Sequence, residues 1–266
     1  MKTMLFGPID NMLEVPYPEQ GMSWDHNRDT EVTDLLSGGR HVYAAPTPFK
    51  TFGLSYKGGT KGLQPLVDLR HGVYGDGPFY LIDFNFTEGN VLPTRWASAY
   101  MLAHIADGWA DAALAASTTA LARKVSVFRN NGQFTDTGDS LILPVVPDKG
   151  MYLRVWGSAT GDAGVTYSRR NASTGVWSTP TLAAFNSEVE VVAPNSAFNA
   201  VRLRLRCTNG AELTLDHINL MTTPGITTRQ PGLGVGAVKF SGNVAGNIVT
   251  KRFDRIGLSL DLTEIE

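Results

Sequence analysis

Apolar and polar residues alternate with a period of two over much of this chain. The alternation is clearest in Met151–Trp156 and Ala200–Arg206, where apolar residues share one face of each segment. In the second segment, three arginines occupy the opposite face. Segments of this kind recur about every eight to twelve residues between Val125 and Met221, with turn residues between them, which predicts a β-sandwich.

The two ends of the chain carry further strand patterns. Alternation marks Met22–His26 and Thr51–Tyr56 near the start and Leu258–Glu264 at the end. Between them, the apolar spacing in Gly62–Arg70 predicts one or two helical turns. If the first and last strands pair in one sheet, they close a domain around an insertion.

Two segments break this β pattern. Residues 101–124 are rich in alanine, and intrinsic propensity favours a helix there, although Ser117–Thr119 interrupts it. We expect this region to connect the first module of the chain to a second one. Thr227–Gly232 has the composition of a linker.

The stretch from Gly77 to Ser98 combines a strand with an ordered loop. The turn signal Gly77-Pro78 precedes a run of aromatic and aliphatic residues that ends at Asp83. Asn90–Trp96 follows as a loop, because Pro93 fixes its own backbone angle φ and favours an extended residue before it.

This stretch resembles a recurrent signature of phage minor tail proteins, especially those of phages that infect actinobacteria. In that family a GPFYLLDP run is followed closely by NLLPPNWAS. This chain departs from the pattern at Phe84 and Thr94, where the family often has proline. The signature marks a structural protein rather than a reaction. The matching residues are Gly77, Pro78, Phe79, Tyr80, Asp83, Asn90, Leu92, Pro93 and Trp96.

The end of the chain is similar to the close of the same proteins. Phe240–Gly242 and Asp254–Glu264 match a short strand and a final strand that are typical there. The resemblance covers residues 1–100 and 225–266, and implies a mainly β chain. Both ends would build a ring-forming β-barrel or sandwich domain, as in distal tail proteins, and residues 101–224 would form an inserted, jelly-roll-like sandwich.

The inserted segment resembles carbohydrate-binding modules of the jelly-roll type. Glu212–Leu220 is similar to their last strand and Val146–Tyr152 to a central strand. The resemblance implies a sugar-binding type of sandwich, and aromatic rings are the groups on which sugars stack. The alternative is that some of these rings pack in the core or between domains. The candidate rings are Tyr152, Trp156, Tyr167 and Trp177.

Composition narrows the function classes. The net charge of −2 gives no broad electrostatic footprint for nucleic acid, and there is no run of about twenty apolar residues that would span a membrane. The N-terminus lacks the pattern of a signal peptide.

The lone Cys207 excludes an internal disulfide, fits synthesis in a reducing cytoplasm and is typical of a buried strand residue. The low charged fraction of 18% fits either a surface covered in an assembly or a β protein rich in glycine and threonine.

No motif predicts catalysis or a cofactor. The glycines at Gly53 and Gly58 lack the Lys-Ser/Thr of a phosphate-binding loop. Glu188 and Glu190 share a strand face, but a glycosidase needs a carboxylate across a cleft. We therefore expect no enzyme and no cofactor.

Two groups of acidic residues raise the question of a metal. Asp25, His26 and Asp29 cluster near the start of the chain, and Asp136 and Asp139 lie close together in a predicted loop, where they offer the start of a calcium site. Solvated side chains explain both groups more simply, and we expect no metal.

The resemblance implies a structural protein of the phage tail tip. It would form a homo-oligomeric ring, a hexamer, that joins the tail tube to the baseplate or receptor-binding components. Its partners would be itself, the tail tube, tape-measure, hub or other minor tail proteins, and cell-wall glycan, with no nucleic acid and no membrane insertion. It would assemble in the host cytoplasm and reside in the virion. The alternative is a glycan-binding adhesion protein that contacts the host envelope.

Overall fold

A computed structural model describes residues 3–18, 22–27, 30–34, 40–44, 49–83, 89–97, 111–116, 124–129, 136–234, 236–248 and 256–265. The chain divides into two compact units. The terminal unit comprises Met1–Met4, Leu13–Pro78 and Val238–Glu266, and the sandwich unit comprises Leu5–Met12 and Phe79–Ala237. The predicted boundaries near residues 100 and 225 fall inside the sandwich unit.

The described residues are mainly β, which confirms the predicted class. In the first part of the chain they form β1 (Thr3–Gly7), β2 (Leu13–Pro16), β3 (Met22–Asn27), β4 (Thr30–Asp34), β5 (Arg40–Ala44), β6 (Phe49–Thr60), α1 (Gln64–Arg70), β7 (Tyr80–Ile82), α2 (Thr94–Ala97) and β8 (Asp111–Ala116). The remainder forms β9 (Lys124–Arg129), β10 (Asp136–Pro144), β11 (Met151–Thr160), β12 (Ala163–Asn171), β13 (Thr181–Leu182), β14 (Glu188–Val192), β15 (Phe198–Cys207), β16 (Glu212–Met221), β17 (Val238–Ile248) and β18 (Ile256–Glu264).

The terminal unit contains an antiparallel sheet in the order β17-β18-β6-β3 and a β4-β5 hairpin. The last strand, β18, lies between β17 and β6, so both ends of the chain contribute to one sheet. The register pairs Leu258 with Tyr56, Leu260 with Leu54 and Leu262 with Phe52, and all six side chains are buried. Helix α1 forms where the apolar spacing predicted it. Within the described residues, no sheet closes into a barrel.

Two antiparallel sheets build the sandwich unit. One has the order β10-β15-β12-β13, which we call the arginine sheet, and the other has the order β14-β11-β16-β9-β8, which we call the strap sheet. Alternate residues of β11 and β15 are buried, as the period of two predicted. Inward residues of both sheets share one core, so the sheets pack face to face. The core includes Leu141, Leu153, Val155, Val165, Leu203, Leu205, Leu213 and Ile218.

The helix that propensity favoured in residues 101–124 is wrong for the part that the structure describes. Residues 111–116 form β8, which pairs with β9 from Asp111↔Arg129 to Ala116↔Lys124. Backbone pairing with an existing sheet edge overrides the weak helix preference of alanine. The rest of this predicted helix lies outside the described residues. No helix in the described residues is long and apolar enough to cross a membrane.

The phenol of Tyr56 makes the terminal unit sensitive to alkali. Tyr56 is 3% exposed and donates a hydrogen bond of 2.9 Å to the carbonyl oxygen of Pro16. Burial, and then the neighbouring Tyr17, raise the pKa of Tyr56 above its ordinary value. The unfolded phenol ionises near pH 10, whereas the folded phenol keeps its proton. Folded protein therefore binds more protons above pH 10, and its stability falls as the pH rises.

We expect Tyr56→Phe to reduce this alkaline loss, at a cost of about 1 kcal/mol at neutral pH for the lost hydrogen bond. Urea denaturation of both proteins between pH 8 and 11 measures the effect. Some alkaline loss persists in the variant, because burial also raises the pKa of Tyr80. Equal pH slopes in the two proteins would contradict the assignment to Tyr56.

Candidate functional site

The side chain of Asn90 joins the signature stretch to strand β16. Its amide nitrogen lies 3.0 Å from the carbonyl oxygen of Ile218 and 3.1 Å from that of Gln230. Its amide oxygen accepts hydrogen bonds from the backbone N–H groups of Leu220, at 2.9 Å, and Leu92, at 3.3 Å. The side chain is fully buried.

These bonds satisfy a part of β16 that has no neighbouring strand on one side. Strand β9 pairs with β16 over Glu212–Leu215 only, while β11 pairs with β16 along its whole length. Beyond Leu215, the Asn90 amide and the N–H of Val91, which donates to Leu220 at 2.9 Å, take the place of β9. Because buried backbone groups need partners, this stretch completes the sheet.

The rest of the signature packs into the same unit. Leu92 and Trp96 are buried in the sandwich core, and Trp96 lies on helix α2. In the first half, strand β7 pairs with β1 from Leu5↔Ile82 to Gly7↔Tyr80, and the ring of Phe79 lies 5.9 Å from that of Phe6. Asp83 and Pro93 are buried, whereas Gly77 and Pro78 are exposed at the end of the terminal unit. The buried signature residues therefore act as packing and hydrogen-bonding groups.

Residues 224–234, which we call the strap, cross the outer face of the strap sheet. Asn219 donates to the carbonyl oxygen of Thr228 at 2.9 Å, and the Nε2 atom of His217 lies 2.8 Å from that of Gln230. Arg229 donates to Asp216 at 2.8 Å. The predicted linker is therefore an ordered segment, because side chains of β16 bind its backbone.

A β-bulge turns these side chains outward. The register of β11 and β16 shifts between Trp156↔His217 and Gly157↔Leu215, which leaves Asp216 as the extra residue. Leu215 and Ile218 both point into the core, so Asp216 and His217 both face the strap. A Cβ on Gly157 would overlap the carbonyl oxygen of Thr214, so this close approach needs glycine.

The four aromatic residues predicted to bind sugar do not form one surface. Tyr167 is 9% exposed and lies in the core between the sheets, in the position that the packing alternative describes. Tyr152 and Trp156 lie on the outer face of β11 in the strap sheet. Trp177 lies between β12 and β13, where it forms an isolated bridge with Arg170, and the guanidinium carbon of Arg202 lies 3.9 Å from its ring centre.

Trp156 is surrounded by groups that fix the strap. The guanidinium carbons of Arg154 and Arg229 lie 5.6 and 5.4 Å from its ring centre, and the imidazole of His217 meets it edge to face at 5.7 Å. Arg154 also donates to the carbonyl oxygen of Ile226 at 3.4 Å. Trp156 is half-buried, so part of its ring remains at the surface. Sugar binding by these residues stays a prediction.

A cleft of about 570 Å³ opens within the sandwich unit. It is lined by the segment from Leu5 to Met12, the β10–β11 turn and the loop that leads into β15. Asn199 donates to the carbonyl oxygen of Ile9 at 3.3 Å. Within the described residues, the buried Oδ1 atom of Asn199 and Oγ atom of Ser196 have no hydrogen-bond partner. The cleft therefore offers an acceptor and a hydroxyl to a small polar molecule.

The acidic groups considered as metal ligands do not form a cluster in the described part of the chain. Asp25 is exposed on β3, and Asp29 lies outside the described residues. Asp136 and Asp139 lie within strand β10, so the loop prediction is wrong for both. Glu188 accepts hydrogen bonds from the N–H of Gly225 in the strap, with the nearer oxygen at 2.9 Å. No group of three potential metal ligands occurs among the described residues.

No protein-family model, curated protein or solved structure matches this chain.

The geometry predicts that Asn90 supports the stability of the sandwich unit. Asn90→Ala removes the partners of buried groups on Leu220 and Ile218, so we expect a loss of about 2–4 kcal/mol in the free energy of unfolding. Asn90→Asp keeps the shape but loses both donors, and its carboxylate would lie against the carbonyl oxygens of Ile218 and Gln230. We expect a loss at least as large. Urea denaturation measures both.

Asn11→Ala provides the matched control. Asn11 is exposed, and its N–H bond to Pro8 comes from the backbone, which alanine retains. We expect a change within about 0.5 kcal/mol. If Asn90→Ala were as mild as this control, Asn90 would not hold the edge of β16.

Proposed function

We propose that this chain is a structural protein of a phage tail tip, similar to distal and minor tail proteins. It would form a homohexameric ring in the virion that connects the tail tube to the baseplate or receptor-binding components. The observation that carries the proposal is the burial and hydrogen bonding of the signature residues. Asn90, Leu92 and Trp96 are buried: Asn90 binds the edge of β16, and Leu92 and Trp96 pack in the core, as expected of residues that serve the architecture.

The strand order of the sandwich unit supports the jelly-roll part of the proposal. From β9 to β16, the order β10-β15-β12-β13 in one sheet faces β14-β11-β16-β9 in the other. An eight-stranded jelly roll has this arrangement, with strands from the first and second halves interleaved in both sheets. In the proposed ring, this unit would carry the contacts with adsorption partners.

Sheet edges that have no further strand among the described residues support self-association. The sheet of the terminal unit ends at β3 on one side and at β17 on the other, and β3 has only β6 as a described neighbour. A ring with rotational symmetry uses two different patches of each subunit, so that one edge of a subunit meets another edge of the next. Backbone pairing and apolar burial between such edges would hold the ring together.

The solution mass of the purified chain tests this proposal. We expect a closed ring of six subunits by mass photometry at micromolar concentration, visible as rings in negative stain. A strict monomer for the unmodified chain, with the same mass after addition of the tail-tube protein as a template, would contradict the proposal.

A second candidate is a glycan-binding adhesion protein of the host envelope. The interleaved strand order of the two sheets supports it, because lectin domains of the jelly-roll type have such an order. This candidate requires glycan affinity in the isolated chain, whereas the ring requires self-association. The two are therefore separated by the mass measurement together with a glycan-binding assay.

A further inference from the structure

The outer face of the arginine sheet carries two cations that have no anionic partner in the described structure. Arg202, Arg204 and Arg206 follow one another on the outer face of β15. Arg206 donates to both carboxylate oxygens of Asp162, at 3.0 and 2.5 Å. The Nε atoms of Arg202 and Arg204 are buried and have no hydrogen-bond partner among the described residues. The charge of Arg206 is thus balanced locally, and those of Arg202 and Arg204 are not.

Among the side chains that the structure describes, the direct cross-strand neighbours of Arg202 and Arg204 supply no compensating charge. Arg202 pairs across the sheet with Ile142 on β10 and Ser168 on β12. Arg204 pairs with Ser140 and Thr166. All four neighbours are neutral, and Ser168 and Thr166 are buried. The guanidinium groups are therefore the charged groups that this part of the face presents outward.

Three other arginines of the same unit bind a carboxylate or a carbonyl oxygen, whereas Arg169, whose Nε atom also lacks a hydrogen-bond partner among the described residues, lies over the ring of Phe198. Arg170 pairs with Asp10, and Arg229 pairs with Asp216. Arg154 donates to a carbonyl oxygen of the strap. Two neighbouring arginines left without a carboxylate raise the free energy of the chain, because like charges repel. Burial, and then the charge of Arg204, lower the pKa of Arg202.

Trp177 holds the guanidinium of Arg202 in place. The distance of 3.9 Å between the guanidinium carbon and the ring centre is that of a stacked cation–π contact. Stacking fixes the orientation of the planar fork before a ligand arrives, which lowers the entropy cost of binding. Trp177 therefore acts as a positioning residue for Arg202.

We propose that Arg202 and Arg204 form a binding site for an acidic polysaccharide that carries a carboxylate on its repeating unit. A guanidinium binds a carboxylate through two parallel hydrogen bonds. Alternate residues of a strand are about 6.6 Å apart, so the two forks form a short row along β15. An extended polymer with regularly spaced carboxylates fits such a row on an open sheet face. The site gives the glycan-binding candidate a ligand class, and it is independent of ring formation.

The test uses the full chain and three soluble polymers of similar length. Polygalacturonate carries the sugar and the carboxylate, dextran carries only the sugar, and polyglutamate carries only the carboxylate. Calorimetry at low and at physiological salt measures binding. We expect binding to polygalacturonate that weakens with salt, and no binding to dextran. Equal binding to dextran, or absence of polygalacturonate binding, would overturn the site.

Three variants locate the site on the protein. We expect Arg202→Gln combined with Arg204→Gln to weaken polygalacturonate binding about tenfold or more, since both charged forks are lost. Arg40→Gln removes the same charge from an exposed arginine of the terminal unit that pairs with Asp34, and should leave the affinity unchanged. Equal affinity of the double variant and the unmodified chain would refute the proposal.

Two further results keep the test decisive. Replacement of both arginines by lysine retains the charge and protects against a folding artefact, and we expect it to weaken binding severalfold because the forked geometry is lost. Unchanged affinity in this lysine variant would contradict recognition by the forks. Polyglutamate that binds as tightly as polygalacturonate would overturn the glycan assignment in favour of an acidic protein. Thermal melting of each variant confirms the fold, and the mass measurement separately tests the ring.

Discussion

A side-chain amide completes a β-sheet in this protein. Strand β9 stops pairing with β16 at Leu215, and Asn90 supplies the next donor and acceptor along the same edge. An amide side chain has the same donor and acceptor groups as a peptide bond, so it can stand in for a missing strand. The segment that carries Asn90 is thereby fixed, and Leu92 and Trp96 enter the core beside it. The sandwich unit depends on this link between the segment before β8 and the strand that closes the core.

The strap on the outer face of the strap sheet is likewise held by polar groups. Asn90 also donates to the carbonyl oxygen of Gln230, and the N–H groups of Leu233 and Gly234 donate to the carbonyl oxygens of Asn90 and Leu92. A Cβ on Gly234 would overlap the carbonyl oxygen of Val91, so only glycine permits this approach. Polar groups, rather than apolar burial, thus order the strap. The ordered strap places Arg229 beside the half-buried ring of Trp156.

The sequence predicted the features that follow from periodicity. Alternation in β11 and β15 identified the buried faces, because side chains of a strand point to opposite sides in turn. The same count places Tyr167 on the face of Val165, which was the available signal that its ring lies in the core. The spacing of leucines predicted α1 correctly. These features depend on neighbours within the same element.

Features that depend on distant residues were missed. Asn90 looks like a loop residue, since its partners lie about 130 positions further along the chain. The strap has the composition of a linker, because its order comes from side chains of β16. The bulge at Asp216 becomes visible only in the register with β11, and the β8 strand forms because β9 offers an edge. The row of arginines was visible as a pattern, but the neutral cross-strand neighbours of Arg202 and Arg204 became visible only in the register of β15 with β10 and β12.

Through Asn90, residues 90–97 and β16 form one cooperative unit. Hydrogen exchange of the full chain, resolved to single amides by NMR, measures this coupling. We expect the amides of Val91 and Leu220 to be strongly protected and to open with the same free energy as core amides of β15. Fast exchange at Val91 and Leu220 beside slow exchange at Leu203 would contradict it, because the Asn90 segment would then open independently of the sandwich.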